Sequence, residues 1–169
     1  MAATPTPPSK VLQEDGKFSV RQYEKLMLVR APMKESEGDD SFGKLFGYIS
    51  GKNQSGKKIA MTAPVLIDPS EEKGSMSFIM PEGMEAAVVP DPEDKSLERA
   101  SLPGGKFAVY RFSGGRNADN EKKAQVALKE WMKNRGLVGE GKPLFAYYNP
   151  PWIPVWFRRN EVWIRMGGE

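Results

Sequence analysis

Two residue types, cysteine and histidine, are absent from this chain of 169 residues. The lack of cysteine excludes disulfides, iron–sulfur clusters, thiol nucleophiles and cysteine-based zinc sites. The lack of histidine excludes the commonest general base, the usual base of a catalytic triad and the usual axial ligand of heme iron. Any cofactor must therefore be held by other donor atoms or by the burial of apolar surface.

Long apolar runs are absent too. No stretch approaches the roughly 20 apolar residues that span a bilayer, so we predict no membrane span. The opening segment, MAATPTPPSK, has neither the charged start nor the apolar core of a secretory signal. We predict a disordered lead over residues 1–12 and a single domain over residues 13–169. We expect a cytoplasmic protein, or an organellar one if a transit peptide has been removed.

Charge of one sign is not concentrated in any part of the chain. The net charge is only +3, and basic residues are mixed with acidic ones along most of the sequence. Because there is no basic stripe, we predict no nucleic-acid binding. With 39% hydrophobic and 28% charged residues, the composition is that of a globular domain with a sizeable core.

Two segments have the apolar spacing of helices. In the first, apolar residues recur at i, i+3, i+4 and i+7: Phe42, Leu45, Phe46 and Ile49. Polar residues 39–41 precede this stripe and Gly51 follows it, as expected of helix caps. The second segment covers about residues 118–135 and ends before Gly136. Its apolar stripe consists of Ala124, Ala127, Leu128, Trp131 and Met132.

Each predicted helix has two predicted strands before it and two after it. The strands around the first helix are residues 18–23, 26–32, 59–67 and 75–81; those around the second are residues 97–102, 107–115, 144–151 and 160–166. Matching elements lie about 80 residues apart, which indicates a ββαββ unit used twice, over about residues 18–81 and 97–166. One such unit would leave a sheet face exposed. We therefore predict an α+β fold in which pseudo-twofold repeats form a distorted antiparallel eight-stranded barrel flanked by two helices.

The segment KIAMTAPV, residues 58–65, alternates like a strand but contains a proline. Pro64 cannot donate a ladder hydrogen bond, so it indicates a bulge or a strand crossing. Met61 supplies a flexible, polarisable side chain that suits irregular packing. The segment either shapes the fold or contacts a ligand, and we favour the first interpretation.

Four motifs occur in order along the chain: YISGKN, KIAMTAPV, FIMP and NPPW followed by RRNEVW. Together they resemble the SOUL family of heme-binding proteins over residues 18–166. The resemblance implies a pseudo-twofold α+β barrel, an architecture shared with drug-sensing regulator domains and gyrase-inhibitor-like proteins. It also implies that the partner is heme, a related tetrapyrrole or another planar amphipathic small molecule.

The resemblance also suggests where a tetrapyrrole would bind. SOUL members that bind heme through a histidine carry this residue in a pattern like Arg-His-Tyr. In this sequence Gln22 stands at the position of the histidine, which excludes histidine ligation of heme here. Other members use an open apolar groove between the first helix and the loop after the NPP segment. In this sequence the groove would be lined by Phe42, Leu45, Phe46, Ile49, Trp152 and Ile153. We expect two of the four helix residues to face the ligand.

Binding through such a groove would be weak, because it would depend on burial and on ligands other than histidine. The available iron ligands are Tyr48, Tyr147, Tyr148, Met27 and Met61. The basic residues that meet propionates in other members are displaced, since Asp39 and Ile153 stand at or near those places. Lys44, Lys57 and Lys58 could replace them.

Two other classes of function stay open. A hydrolase of related architecture could use Glu161 as a general base, although pairing of this carboxylate with Arg158 or Arg159 explains it better. An interaction protein could use the tryptophans of the proline-rich loop, Trp152 and Trp156, to bind another protein. We expect a heme or tetrapyrrole carrier, buffer or sensor rather than an enzyme.

Overall fold

The computed structural model describes residues 4–33, 40–69, 74–150 and 152–167. The chain divides into two compact units. Unit 1 consists of Met1–Pro8 and Lys25–Pro103, and unit 2 consists of Ser9–Glu24 and Gly104–Glu169. Each unit contains one α-helix and a set of antiparallel strands.

The helices and strands follow one another in the predicted order. Among the described residues they are β1 Ser9–Asp15, β2 Phe18–Tyr23, β3 Leu26–Pro32, α1 Ser41–Ile49, β4 Val65–Asp68, β5 Ser75–Ile79, β6 Glu98–Leu102, β7 Gly105–Phe112, α2 Ala118–Asn134, β8 Gly139–Tyr147 and β9 Asn160–Met166. Short 3₁₀ turns occur at Ala86–Val88 and Val155–Phe157. The α+β class is confirmed, and the elements after β1 occur in the order ββαββ followed by ββαββ.

In unit 1 the strand order is β4-β5-β3-β6, and every pairing is antiparallel. Helix α1 packs against β3 and β5. Its buried side chains Leu45 and Ile49 join the apolar residues of those strands, such as Val29 and Phe78. The helix ends as predicted, since Gly51 has a φ of 119° that other residues rarely adopt.

In unit 2 the strand order is β1-β2-β7-β9-β8, again antiparallel. Helix α2 packs against β7, β8 and β9. The predicted stripe is buried at four of its five positions, and Ala127 is half-buried. The side chain of Asn117 caps the helix by accepting a hydrogen bond from the backbone N–H of Asn120 at 2.9 Å.

The compact units do not coincide with the two sequence repeats, because the first strand of each repeat pairs in the other unit. Strand β2 belongs to the first repeat by position but pairs with β7 in unit 2. Strand β6 opens the second repeat but pairs with β3 in unit 1. Spacing along the chain predicts the order of strands, whereas backbone pairing partners leave no mark in the spacing.

Two details of the predicted sheet differ from the structure. The strands do not close into a barrel: among the described residues, the outermost strands within each unit, β1 and β8 or β4 and β6, do not pair with each other. Residues 9–12, expected in the disordered lead, belong to β1, in which residues 9–11 pair with β2 and the register shifts between Val11 and Gln13. All seven residues of β1 are exposed, so this strand lacks the apolar alternation by which strands are recognised.

The KIAMTAPV segment is a strand only at its end, because β4 begins at Val65 and the Ala63–Pro64 peptide bond is cis. The segment is tied to its unit by hydrogen bonds: Thr62 Oγ1 donates to the carbonyl of Ile79 at 2.6 Å, and the N–H of Ile59 donates to that of Ile49 at 2.7 Å. These bonds join it to the FIMP and YISGKN motifs. They support the interpretation that the segment shapes the fold.

Asn53 of the YISGKN motif holds the loop that leads into this segment. The residue is 1% exposed, and its Nδ2 donates to the carbonyls of Tyr48 and Lys57, each at 2.9 Å. Its Oδ1 accepts from the backbone N–H of Ser55 at 3.1 Å and from its hydroxyl at 2.8 Å. One side chain thus satisfies four polar groups of a tight loop.

Replacing Asn53 by alanine should destabilise the protein, because buried carbonyl groups would lose their donors. We expect the free energy of unfolding in urea to fall by about 2 kcal/mol or more. The matched control is Gln54→Ala, an exposed neighbour, for which a change within about 0.5 kcal/mol is expected. Equal effects of the two substitutions would contradict the role assigned to Asn53.

Candidate functional site

Helix α1 exposes two aromatic side chains on one face. Of its four predicted apolar residues, Leu45 and Ile49 are buried, while Phe42 is 47% and Phe46 is 51% exposed. Their rings lie 6.3 Å apart between centroids at an interplanar angle of 16°. Phe42 also packs edge-on against Phe78, at 5.3 Å and 67°. Because residues four apart share a helix face, the two nearly parallel rings form a small exposed apolar patch that packs on the core through Phe42.

The other predicted groove residues are distributed over both units. Met61 belongs to unit 1 and is half-buried. Trp152 and Ile153 belong to unit 2, where Trp152 is 79% exposed and Ile153 is half-buried. The structure therefore brings Phe42 and Phe46 together, and it leaves the two loop residues in the other unit.

The basic residues considered for ligand propionates differ in their surroundings. Lys44 is half-buried on α1, and its Nζ donates to the hydroxyl of Ser96 at 3.3 Å. Lys57 and Lys58 are exposed in the loop before β4. Asp39, which the sequence placed near these positions, lies outside the described residues.

The predicted tyrosine ligands have their hydroxyl groups engaged. Tyr48 is buried and donates to the carbonyl of Pro90 at 2.5 Å, and burial raises its pKa to about 12. Tyr147 donates to a carboxylate oxygen of Glu121, and burial followed by this contact raises its pKa.

Tyr148 is in the same condition. Its hydroxyl donates to Glu161 Oε1 at 2.7 Å, and burial together with the charge of Glu161 raises its pKa. Iron binds tyrosine as the phenolate, and a raised pKa opposes formation of that anion. The two half-buried methionines, Met27 and Met61, are the remaining predicted ligands.

Glu161 is fully buried in unit 2 and is surrounded by hydrogen-bond donors. Arg21 of β2 binds it with both terminal nitrogens, at 2.9 and 2.8 Å. Arg159 donates to Oε2 from Nη2 at 2.8 Å and from Nε at 3.2 Å. The hydroxyl of Tyr148 and the indole Nε1 of Trp163 donate to Oε1 at 2.7 and 3.0 Å. We refer to these five residues as the carboxylate cluster.

The electrostatics of this cluster keep Glu161 ionised. Burial alone would raise its pKa, but hydrogen bonds and charge from Arg21, with further bonds from Arg159 and Trp163, lower the pKa to about 2. A carboxylate with so low a pKa, and with both oxygens already accepting hydrogen bonds, is a poor general base. The geometry therefore gives no support to Glu161 as a catalytic residue.

The pairing of Glu161 with Arg159 was predicted from their proximity in sequence, and it is confirmed. The bond to Arg21 was missed, since that residue is 140 positions away. The available signal was that Glu161 is the only acidic residue in an apolar strand. A buried carboxylate needs cationic partners, so the sequence indicated that such partners exist but not which they are. Arg21 lies directly before Gln22, which is exposed on β2.

Comparison with known proteins decides the family. The family model of the SOUL heme-binding protein matches residues 4–165. The chain belongs to the SOUL heme-binding protein family. It is similar to Heme-binding protein 2 of Homo sapiens, with 28% identity over 89% of this chain and 78% of that protein. It is also similar to Heme-binding protein 2 of Mus musculus, with 27% identity over 93% and 82% of the two chains.

Solved structures share the fold of this SOUL-family chain at low identity. The C-terminal domain of EcmrR aligns with a TM-score of 0.63 and 10% identity, over 90% of this chain and 98% of that domain. A hydrolase encoded by lin2189 from Listeria innocua aligns with a TM-score of 0.59 and 9% identity, over 98% and 94%. These likenesses concern the fold alone.

Among the described residues, no helix is long and apolar enough to span a membrane.

The carboxylate cluster should make stability depend on pH. The pKa of Glu161 is about 2 in the folded protein, against an ordinary value of 4.5. Its stabilising contribution is therefore complete above pH 4.5 and is lost as the pH falls towards 2, with a magnitude of roughly 3 kcal/mol. We expect Glu161→Gln to lower the unfolding free energy at pH 7 and to flatten this acid dependence.

Urea unfolding at several pH values between 7 and 2 measures both effects. Glu130→Gln, an exposed position on α2, is the control and should behave like the wild type. If Glu161→Gln kept the acid dependence of the wild type, the assignment of that dependence to the cluster would be wrong.

Proposed function

We propose that this SOUL-family protein binds heme or a related tetrapyrrole by burying the macrocycle against an apolar surface that includes Phe42 and Phe46. The observation that carries the proposal is the exposed, nearly parallel pair of rings on α1. An exposed aromatic patch suits a large apolar ligand, because contact removes apolar area of both from water. The names of the curated relatives, Heme-binding protein 2, support a tetrapyrrole as the ligand.

The remaining groove residues have different parts in this proposal. Leu45 and Ile49 are buried, so they would hold the helix on its sheet rather than contact the ligand. Met61 belongs to the same unit as the two rings and is half-buried, so part of its side chain is open to contact. Trp152 and Ile153, which the family resemblance also assigned to a groove, belong to the other unit, and the proposed contact with Phe42 and Phe46 does not depend on them.

Burial limits the affinity. About 300 Å² of macrocycle removed from water contributes roughly 7 kcal/mol, and association costs several kcal/mol of this. Binding would be micromolar at best. The ligand would exchange readily, which suits a carrier, buffer or sensor of tetrapyrrole better than a redox enzyme.

Coordination of iron by a protein side chain would add little. Histidine is absent, and the hydroxyl groups of Tyr48, Tyr147 and Tyr148 are occupied. Met27 or Met61 could supply a thioether, which is a weaker donor than a thiolate or an imidazole. When bound, heme would supply its own iron chemistry, while this chain would supply an apolar surface and shield one face from water.

A hydrolytic function finds less support. The fold is similar to that of a hydrolase from Listeria innocua and equally to that of the C-terminal domain of EcmrR. The carboxylate that could act as a base, Glu161, is instead bound to two arginines. A small-molecule binder without catalytic activity is the alternative that remains compatible with this site.

Titration with hemin tests the proposal. We expect a saturable one-to-one curve with a modest shift of the Soret band and quenching of tryptophan fluorescence. Phe46→Ala should weaken binding about five- to tenfold, because the exposed part of the Phe46 ring would no longer contact the ligand. Gln22→Ala, at the position of the family's histidine ligand, should have little effect.

Val126→Ala is the matched control, since this side chain is 54% exposed on the other helix. It should bind hemin like the wild type. The assignment of the site to α1 would be overturned if Gln22→Ala abolished binding while Phe46→Ala left it unchanged. Absence of saturable binding by the wild type would overturn the proposed function as a whole.

A further inference from the structure

The loop between β8 and β9 exposes large apolar side chains that no core requires. Trp152 is 79%, Trp156 69% and Phe157 73% exposed, and Val155 is 39% exposed beside them. The rings of Trp156 and Phe157 lie 6.1 Å apart between centroids. We refer to these four residues as the aromatic tip. All of them belong to unit 2.

The backbone of this loop is fixed by hydrogen bonds. The N–H of Gly114, after β7, donates to the carbonyl of Val155 at 2.9 Å, and the N–H of Phe157 donates to that of Pro154 at 2.9 Å. The N–H of Ile153 donates to the carbonyl of Pro150 at 3.1 Å, and Arg158 Nε donates to that of Ile153 at 2.8 Å. The side chains of the tip are therefore held outward, so that a partner gains contacts without having to order the loop.

The loop that carries the tip is basic in sequence. Residues 149–159 contain two arginines, Arg158 and Arg159, and no acidic residue. Arg159 shares Glu161 with Arg21, so these three ionised groups together carry one net positive charge. Arg158 carries a second positive charge, and its Nε is held by the carbonyl of Ile153 at 2.8 Å. Aromatic side chains favour the interfacial region of a bilayer, and neighbouring basic residues are attracted to anionic lipid.

The extent of the tip favours a lipid surface over a protein. Aromatic side chains bury about 150–250 Å² each, so three that are largely exposed offer roughly 300–600 Å². A standard protein interface buries about 800 Å² on each partner. A small projecting tip with basic residues at its base is instead suited to shallow insertion among lipid headgroups.

We infer that the aromatic tip docks this protein on the surface of membranes that contain anionic lipid. Trp156 and Phe157 enter the interface, and the positive charge of the neighbouring arginines attracts the anionic headgroups. This inference goes beyond the proposed function and does not depend on it, because Trp156 and Phe157 are not among the proposed ligand contacts. Binding is peripheral and reversible, and it weakens with rising salt as the charges are screened.

Cosedimentation with vesicles tests the inference. The probe is phosphatidylcholine vesicles with about a third phosphatidylserine, compared with vesicles of phosphatidylcholine alone. We expect the wild type to bind the anionic vesicles, to bind the neutral ones at least about tenfold more weakly, and to shift its tryptophan emission to the blue. The double variant Trp156→Ala/Phe157→Ala should bind the anionic vesicles at least about tenfold more weakly.

The control is Val126→Ala/Val138→Ala, which removes two exposed apolar side chains elsewhere and should bind like the wild type. Quenching of wild-type tryptophan emission by brominated lipid supplies a second measurement that does not depend on the folding of a variant. The inference is overturned if the wild type does not bind anionic vesicles, if neutral vesicles bind it equally, or if the double variant binds unchanged. It is also overturned if ultracentrifugation shows a wild-type dimer that the double variant loses, since the tip would then join two copies.

Discussion

The buried carboxylate of Glu161 is the constraint on which unit 2 depends. Burying a lone charge is costly, and the cost is offset only when the charge is paired and fully hydrogen-bonded. Arg21 on β2, Arg159 beside β9 and Tyr148 after β8 supply these bonds, so the cluster links elements that are far apart in sequence. Changing any partner would leave another charge or hydroxyl without its bond. The cluster therefore helps to fix the position of β2 against the strands of the second repeat.

This use of charge has a consequence for function. The carboxylate of Glu161 has a lowered pKa and is fully hydrogen-bonded within the cluster, and burial together with its charge raises the pKa of Tyr148. The chemistry that remains accessible is that of apolar surface: the paired rings of Phe42 and Phe46 in one unit, and the aromatic tip in the other. The proposed binding of a tetrapyrrole depends on the first of these surfaces, and the proposed docking on lipid depends on the second.

Sequence reasoning was most successful where the pattern is local. The stripe of α2 and the boundaries of β2, β3 and β9 follow from apolar periodicity, and the family follows from ordered motifs. It was weakest where the signal is non-local or absent. Strand β1 has no apolar side and is held by backbone pairing with β2 and by the bonds of Asp15 to Trp131 and Arg135. KIAMTAPV looks like a strand but is held largely by bonds such as that of Thr62. For the candidate site, the sequence identified the residues of α1 but not which of them are exposed.

The sequence by itself determined the composition of possible chemistry, because a chain without cysteine and histidine cannot form thiolate or imidazole sites under any fold. It also determined the order of elements, since periodicity of 2 and 3.6 is written in consecutive residues. Only the tertiary structure decided that β2 and β6 exchange between the repeats, and that Arg21 rather than a neighbour alone neutralises Glu161. The physical reason is that strand pairing and charge burial are satisfied by groups brought together from opposite ends of the chain, and distance in sequence carries no record of that choice.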